Sequence, residues 1–260
     1  MRSTTKGALA LAVLSITFIP EVQAQSWHPL RRQSKRMISF AMPRPPATLG
    51  QPGLRFEASS RGGCENLNKQ VNGSKEKILT ALAPTYGPTY SGLVLGMTAA
   101  AHPTFWFYVP YLGALPGKFV LQEADKTIYQ TPVSLPGTPG VVRVSLPSKI
   151  APLKIGQSYH WFFNVYCQTG QPPAFVHGWI KRDSLNPGLK TQLERSNEEE
   201  RVALYAANGL WYDALNTSDK LRHNDPKDSN WVALLKAVGL DDVAPEPVVV
   251  VATRSKPVTR

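Results

Sequence analysis

From residue 78 to residue 182 the chain repeats one cadence: a short apolar or alternating run, then a break carrying Pro or Gly. The runs are Ile78–Ala83, Gly92–Thr98, Thr104–Val109, Lys118–Glu123, Ile128–Val133, Val141–Leu146, Tyr159–Cys167 and Phe175–Lys181. Pro84, Pro110, Pro116, Gly140, Pro147, Gly156 and Pro172 are among the breaks. Successive residues of a strand face opposite ways, so such runs each present one face to a core. No ten-residue helix fits between breaks this close. Short strands at this spacing predict a β-sandwich.

Two runs say how the layers meet. In Thr104–Val109, Phe105, Phe107 and Val109 share one face, and Trp106 and Tyr108 the other. One face is expected against a second sheet and the other against helices. In Tyr159–Cys167, the set Tyr159, Trp161, Phe163, Val165 and Cys167 faces one way, inward. Leu153 stands six residues before Tyr159, the spacing of the tyrosine corner of immunoglobulin-like sandwiches, here similar to the fibronectin type III version. The Tyr159 hydroxyl is expected to tie that corner to backbone upstream.

The N-terminus sets the compartment. Arg2 and Lys6 precede an apolar run, Ala8 to Ile19, that Pro20 breaks and Val22-Gln23-Ala24 follows. This predicts a secretory leader, residues 1–24, cleaved between Ala24 and Gln25. The run is far short of the roughly 20 residues of a membrane span, and no other stretch is long enough, so no integral membrane protein is expected. Cys64 and Cys167 are the two cysteines of the chain. In an oxidising compartment they are expected to pair; two Cys without nearby His make a poor zinc set.

The net charge of +11 is uneven. Residues 25–63 carry seven basic residues against one acidic, with Pro43, Pro45, Pro46 and Pro52, and read as a basic linker rather than a packed element. Arg254, Lys256 and Arg260 make the C-terminus basic. Basic extensions attract anionic polymers or lipid head groups; an exported protein meets little nucleic acid, and none is expected as a partner.

After Arg182 the apolar period becomes helical. Asn186 before Pro187 marks a helix start, with Leu189 and Leu193 on one face. Ser196-Asn-Glu-Glu199 reads as a capping box, with Glu198, Glu199 and Glu200 in the first turn. Tyr205, Gly209, Trp211, Ala214 and Pro226 fall at the spacing of a tetratricopeptide helix pair, and Ser229 to Val238 reads as a further helix. One such repeat cannot stand alone, so the unit is expected to dock on the sandwich. The expected organisation is leader 1–24, linker 25–63, β-sandwich 64–182, helical module 183–240 and a flexible tail 241–260.

Several stretches together resemble a known family: RGGC (Arg61–Cys64), LTALAP (Leu79–Pro84), HPTFWFYVPY (His102–Tyr111), FVLQE (Phe119–Glu123), GVVRVSLP (Gly140–Pro147), LKIGQSYHWFFNVYC (Leu153–Cys167) and LYAANGLWYDAL (Leu204–Leu215). Their order and spacing are similar to the domain of unknown function 928 family, found mainly in cyanobacteria. The resemblance covers roughly Cys64 to Leu240 and leaves out Arg31–Arg36 and the tail after Asp242. It implies a bacterial envelope or extracellular setting, and no catalytic activity comes with it.

The chemistry-bearing residues are sparse. There is no G-x-S-x-G, phosphate-binding glycine loop or H-E-x-x-H. His160 and His177 can meet if their strands form a hairpin, in a register that sets Val165 opposite His177 or Val176, but no third metal ligand is evident. Trp106, Tyr108, Trp161, Phe163, Trp179, Trp211 and Tyr212 are dense enough for a sugar-stacking platform, although such density more often fills a core. A hydrolase would need a polar cluster such as His102 or His177 beside Asp183. The sequence therefore predicts no cofactor and a non-enzymatic binding or scaffolding role, with an envelope protein or anionic polymer as partner. Carbohydrate binding through exposed aromatics and an unrecognised hydrolase are the alternatives.

Overall fold

Along residues 158–165 every second side chain is buried, namely Tyr159, Trp161, Phe163 and Val165, and those between are half-buried. The computed structural model describes residues 38–46, 49, 52–57, 64, 67, 77–87, 92–225 and 228–253. All lie in the unit Arg36–Arg260. Its strands are β1 (Thr80–Ala81), β2 (Thr85–Tyr86), β3 (Leu93–Thr98), β4 (Thr104–Val109), β5 (Pro116–Glu123), β6 (Lys126–Ser134), β7 (Gly140–Ser145), β8 (Ser158–Val165) and β9 (Ala174–Arg182). Then come α1 (Pro187–Arg195), α2 (Glu198–Ala207), α3 (Trp211–Asn224), α4 (Asn230–Ala237) and a last short strand, β10 (Ala252–Thr253). Among the described residues the chain is mainly β, with two sheets and, toward the C-terminal end, four helices.

One sheet has three strands, in the order β1-β4-β7; the other has seven, in the order β10-β6-β5-β8-β9-β3-β2. Pairing is antiparallel except between β3 and β9, where Leu95 lies opposite Trp179. The rings of β4 join the sheets: Phe107 stacks on Phe163 at 4.2 Å and Phe105 meets Phe119 at 4.7 Å. On the opposite face of β4, Trp106 meets Trp231 of α4 edge-on at 5.4 Å. All six residues of β4 are buried, the result of an apolar strand covered on both sides.

The first two helices, α1 and α2, start where capping side chains satisfy free N–H groups. Asn186 Oδ1 accepts from Leu189 N–H at 2.8 Å, with Pro187 in the first helical position. The second cap lies one residue later than expected. Asn197, not Ser196, accepts from Glu200 N–H, and Glu200 reaches back to Asn197 N–H. The Ser196 hydroxyl instead donates to Gln192 O. Gly209 turns the chain into α3 at φ +72°, and a Cβ there would lie 2.4 Å from Pro43 and 2.8 Å from Ala41 O. Trp211 donates its indole N–H to Leu82 O at 2.8 Å and meets Phe40 edge-on. Tyr205 is half-buried and Ala214 fully buried; Pro226 lies outside the described residues. At Gly96 of β3 a Cβ would come within 2.5 Å of the Tyr212 ring, so α3 seats on β3 only because that strand residue has no side chain.

Two segments expected to be unpacked are held to the fold. In the stretch read as linker, Ala41 N–H donates to Ala206 O at 3.0 Å, and Leu54 pairs with His177 in both directions. Arg55 is buried and donates to Val238 O at 2.8 Å, and Tyr111 donates its hydroxyl proton to Glu57. Backbone pairing supplies this anchorage together with Ile38, Phe40 and Phe56, which pack against the core. Past Asp241, Val243 and Ala244 are buried. Val141 N–H donates to Pro247 O at 2.7 Å and Val249 N–H to Val141 O at 2.8 Å. Ala252–Thr253 then pairs with Ser134 and Val133 of β6. The expected tail is thus, through residue 253, a strap that pairs with β7 at Val141 and with the edge of β6.

Cys64 and Cys167 are joined, their Cα atoms 5.3 Å apart and 103 positions apart in sequence. Cys167 lies just past the end of β8. Ala24, Gln25 and the expected leader lie outside the described residues. Among the described residues no helix is long and apolar enough to cross a membrane.

Candidate functional site

The sequence VVRVS sets up one edge of the small sheet. Val142 and Val144 are buried opposite Phe107 and Phe105, which leaves Arg143 and Ser145 exposed on the alternate face. β7 is the outer strand of its sheet, and the strap occupies it only at Val141. Beyond that point Arg143, Ser145, the last turns of α3 and residues Pro247 to Val251 enclose a cleft of about 970 Å³.

Charge in this cleft is one-sided. Arg143, Lys220 and Arg222 line it, with the His223 imidazole beside them, against the single carboxylate of Asp219. Asp219 is largely buried and pairs with Arg143 at 2.8 Å. Burial pushes the Asp219 carboxyl above its ordinary range, and the Arg143 and Arg222 cations pull it back. Arg222 lies over the Trp231 ring at 4.9 Å, and burial lowers its pKa. It keeps its charge at neutral pH, as guanidinium groups do. Lys220 and His223 are exposed. With Asp219 already matched, the cleft has a surplus of cationic groups.

The paired histidines lie elsewhere, on the outer face of β8 and β9. His177 stands opposite Phe162, and His160 opposite Trp179. Neither expected register is adopted, because Val165 pairs with Ala174 and Val176 with Phe163. The two imidazoles are diagonal neighbours, Nε2 of His160 lying 2.9 Å from Nδ1 of His177. His160 stacks on Trp179 at 4.3 Å and Phe162 on His177 at 5.4 Å. Burial first, then the neighbouring His177, holds His160 down at about 4; burial lowers His177 too. Among the described residues no three His, Cys, Asp or Glu side chains gather as metal ligands.

The other expected constellations do not assemble. His102 meets Ile150 O at 3.0 Å, while Asp183 pairs with Lys181 at 3.2 Å. The aromatic platform is a core: Trp106, Tyr108, Trp161, Phe163, Trp211 and Tyr212 are buried, and only Trp179 is half-buried. The Tyr159 hydroxyl accepts from Lys154 N–H at 2.8 Å, which holds the turn before β8. Asp213 had no signal in the sequence. It is half-buried at the start of α3 and accepts from Ala99 N–H at 2.9 Å. Burial raises its carboxyl to about 6 against the pull of several hydrogen bonds.

No curated protein matches this chain. Residues 57–248 match the family described as Domain of Unknown Function (DUF928). That span is wider at both ends than the resemblance read from the sequence. It takes in Glu57, which accepts the Tyr111 hydroxyl, and the strap through Val248 that pairs with Val141. The match covers most of the sequence, and the chain belongs to the DUF928 family.

Proposed function

We propose that this chain is an exported, non-catalytic binding or scaffolding protein of the cell envelope or extracellular space, and that its binding element is the cleft beside β7. The observation that carries the reading is the surplus of cationic groups around one already paired carboxylate. The apolar leader at residues 1–24 and the Cys64–Cys167 disulfide support export. An anionic polymer or an acidic envelope protein suits the charge.

The scaffold reads as an immunoglobulin-like sandwich of fibronectin type III character with a tetratricopeptide-like pair, α2 and α3, docked on it. The Phe107–Phe163 stack and the Lys154–Tyr159 hydrogen bond support the first part. The Gly209 turn and buried Ala214 support the second. The β body then spans residues 64–182 and the helical module 183–240, with the strap as a third part.

The test compares leader-bearing protein with its Lys220→Glu variant for retention on washed envelope material, at about 50 mM and about 500 mM salt. Retention at low salt, release at high salt and about tenfold weaker retention of the variant are expected. Equal retention of both proteins would remove the cleft as the binding element.

A further inference from the structure

Arg143 and Ser145 bring more than side chains to the cleft. In β7 the backbone groups of Val141 point away from β4, since they bond the strap at Pro247 and Val249. In an antiparallel ladder that direction alternates residue by residue. The N–H and C=O groups of Arg143 and Ser145 therefore also point outward, into the cleft. Leu146 N–H, of opposite parity, turns back to Pro103 O. Among the described residues none of the four outward groups of Arg143 and Ser145 has a backbone partner. The strap leaves the edge after Val249 and crosses to β6, so it opens the stretch that it could have covered.

We propose that this cleft binds an acidic peptide segment in extended conformation, added as a strand to Arg143–Ser145 of β7. The proposal rests on the cleft being the binding element. The reasons are specific to peptide. Two residues of open edge offer donors and acceptors at the repeat of a peptide backbone, which a sugar chain does not reproduce. Alternate side chains of an added strand would face the basic wall of α3, where Lys220 and His223 are exposed. A charged side chain on an edge also discourages self-pairing. Here Arg143 is matched by Asp219, so the surplus charge that would attract a partner sits on α3. The chain's own termini are unsuited as occupants: residues 254–260 carry Arg254, Lys256 and Arg260, and residues 25–37 carry four basic residues and no acidic one.

The test uses the full mature chain and a pool of labelled octapeptides in which Glu alternates with Val, Ile or Thr. The same pool with Lys for Glu, the Glu pool N-methylated at alternate amides, and an anionic polysaccharide are the comparisons. Binding is read by fluorescence anisotropy and by hydrogen exchange at the Arg143 and Ser145 amides. Expected are binding of the Glu pool alone, about tenfold weakening by N-methylation and by Lys220→Glu, and slowed exchange at both amides. Equal binding of the N-methylated pool, or polysaccharide binding without amide protection, overturns strand addition. No binding of the Glu pool overturns it too. If envelope retention then still responds to Lys220→Glu, only the peptide inference has failed; if it does not, the cleft reading has failed as well.

Discussion

Replacing both Cys64 and Cys167 by Ser removes a cross-link between positions 103 residues apart. In the chain-entropy description, closing a loop of about a hundred residues restricts the unfolded chain by about 4.7 kcal/mol at 25 °C. Residual structure in the unfolded chain reduces that figure. For a folded unit of this size each kcal/mol moves the midpoint by about 2–4 °C, so a drop of about 10–15 °C is expected. The native fold should survive the change. Leu67 N–H donates to Cys64 O, and Leu112 N–H to Leu67 O, so this turn is fastened by backbone as well as by sulfur. The assay is thermal unfolding followed by near-ultraviolet circular dichroism, with mass spectrometry to verify the disulfide in the parent protein. A shift below about 2 °C, with the parent fully oxidised, would refute the loop argument. Loss of the native spectrum in the variant before heating would also refute it, since the staple would then be forming the native state rather than restricting the unfolded one.

Gly96→Ala should cost about 1–3 kcal/mol by pressing a methyl group against the buried Tyr212 ring. Tyr212→Leu in the same chain should recover part of that loss; additive costs in chemical denaturation would contradict the docking of α3 on β3. Asp213 and His160 should give opposing pH dependences. With its folded carboxyl at about 6, Asp213 keeps a proton that the unfolded chain has released, so its contribution falls as pH rises from about 4 to about 6. His160, neutral down to about 4, refuses a proton that the unfolded chain takes, so its contribution falls as pH drops from about 6.5 to about 4. Half-exposure limits the His160 effect to about 1 kcal/mol. Urea midpoints from pH 4 to pH 7 should therefore rise more steeply with pH in Asp213→Asn and less steeply in His160→Phe. Parallel profiles for all three proteins would contradict both assignments.

Much of the fold was legible because strand periodicity is local. The alternation from Tyr159 to Val165, the doubly apolar β4 and the helix start at Asn186 all follow from nearest neighbours in sequence. The capping box was misplaced by one residue because Ser196 and Asn197 are both good caps, and the reach of Glu200 decides between them. Residues 52–57 and 241–253 were misread for another reason. Their order comes from backbone pairing with distant strands, at His177, Thr80, Val141 and Val133, which composition cannot signal. The candidate cleft was invisible for the same reason. Arg143, Lys220, Arg222 and His223 sit in a stretch whose charges nearly balance along the sequence, and only the fold brings them to one side.

The most direct measurement is the state of the chain in cells that express it with residues 1–24 in place. Cells are fractionated after free thiols are trapped by alkylation, and the protein is analysed by mass spectrometry. The expected result is an exported chain beginning at Gln25, with Cys64 and Cys167 unmodified until reductant is added. A full-length cytoplasmic chain with both thiols alkylated would contradict the envelope-side role.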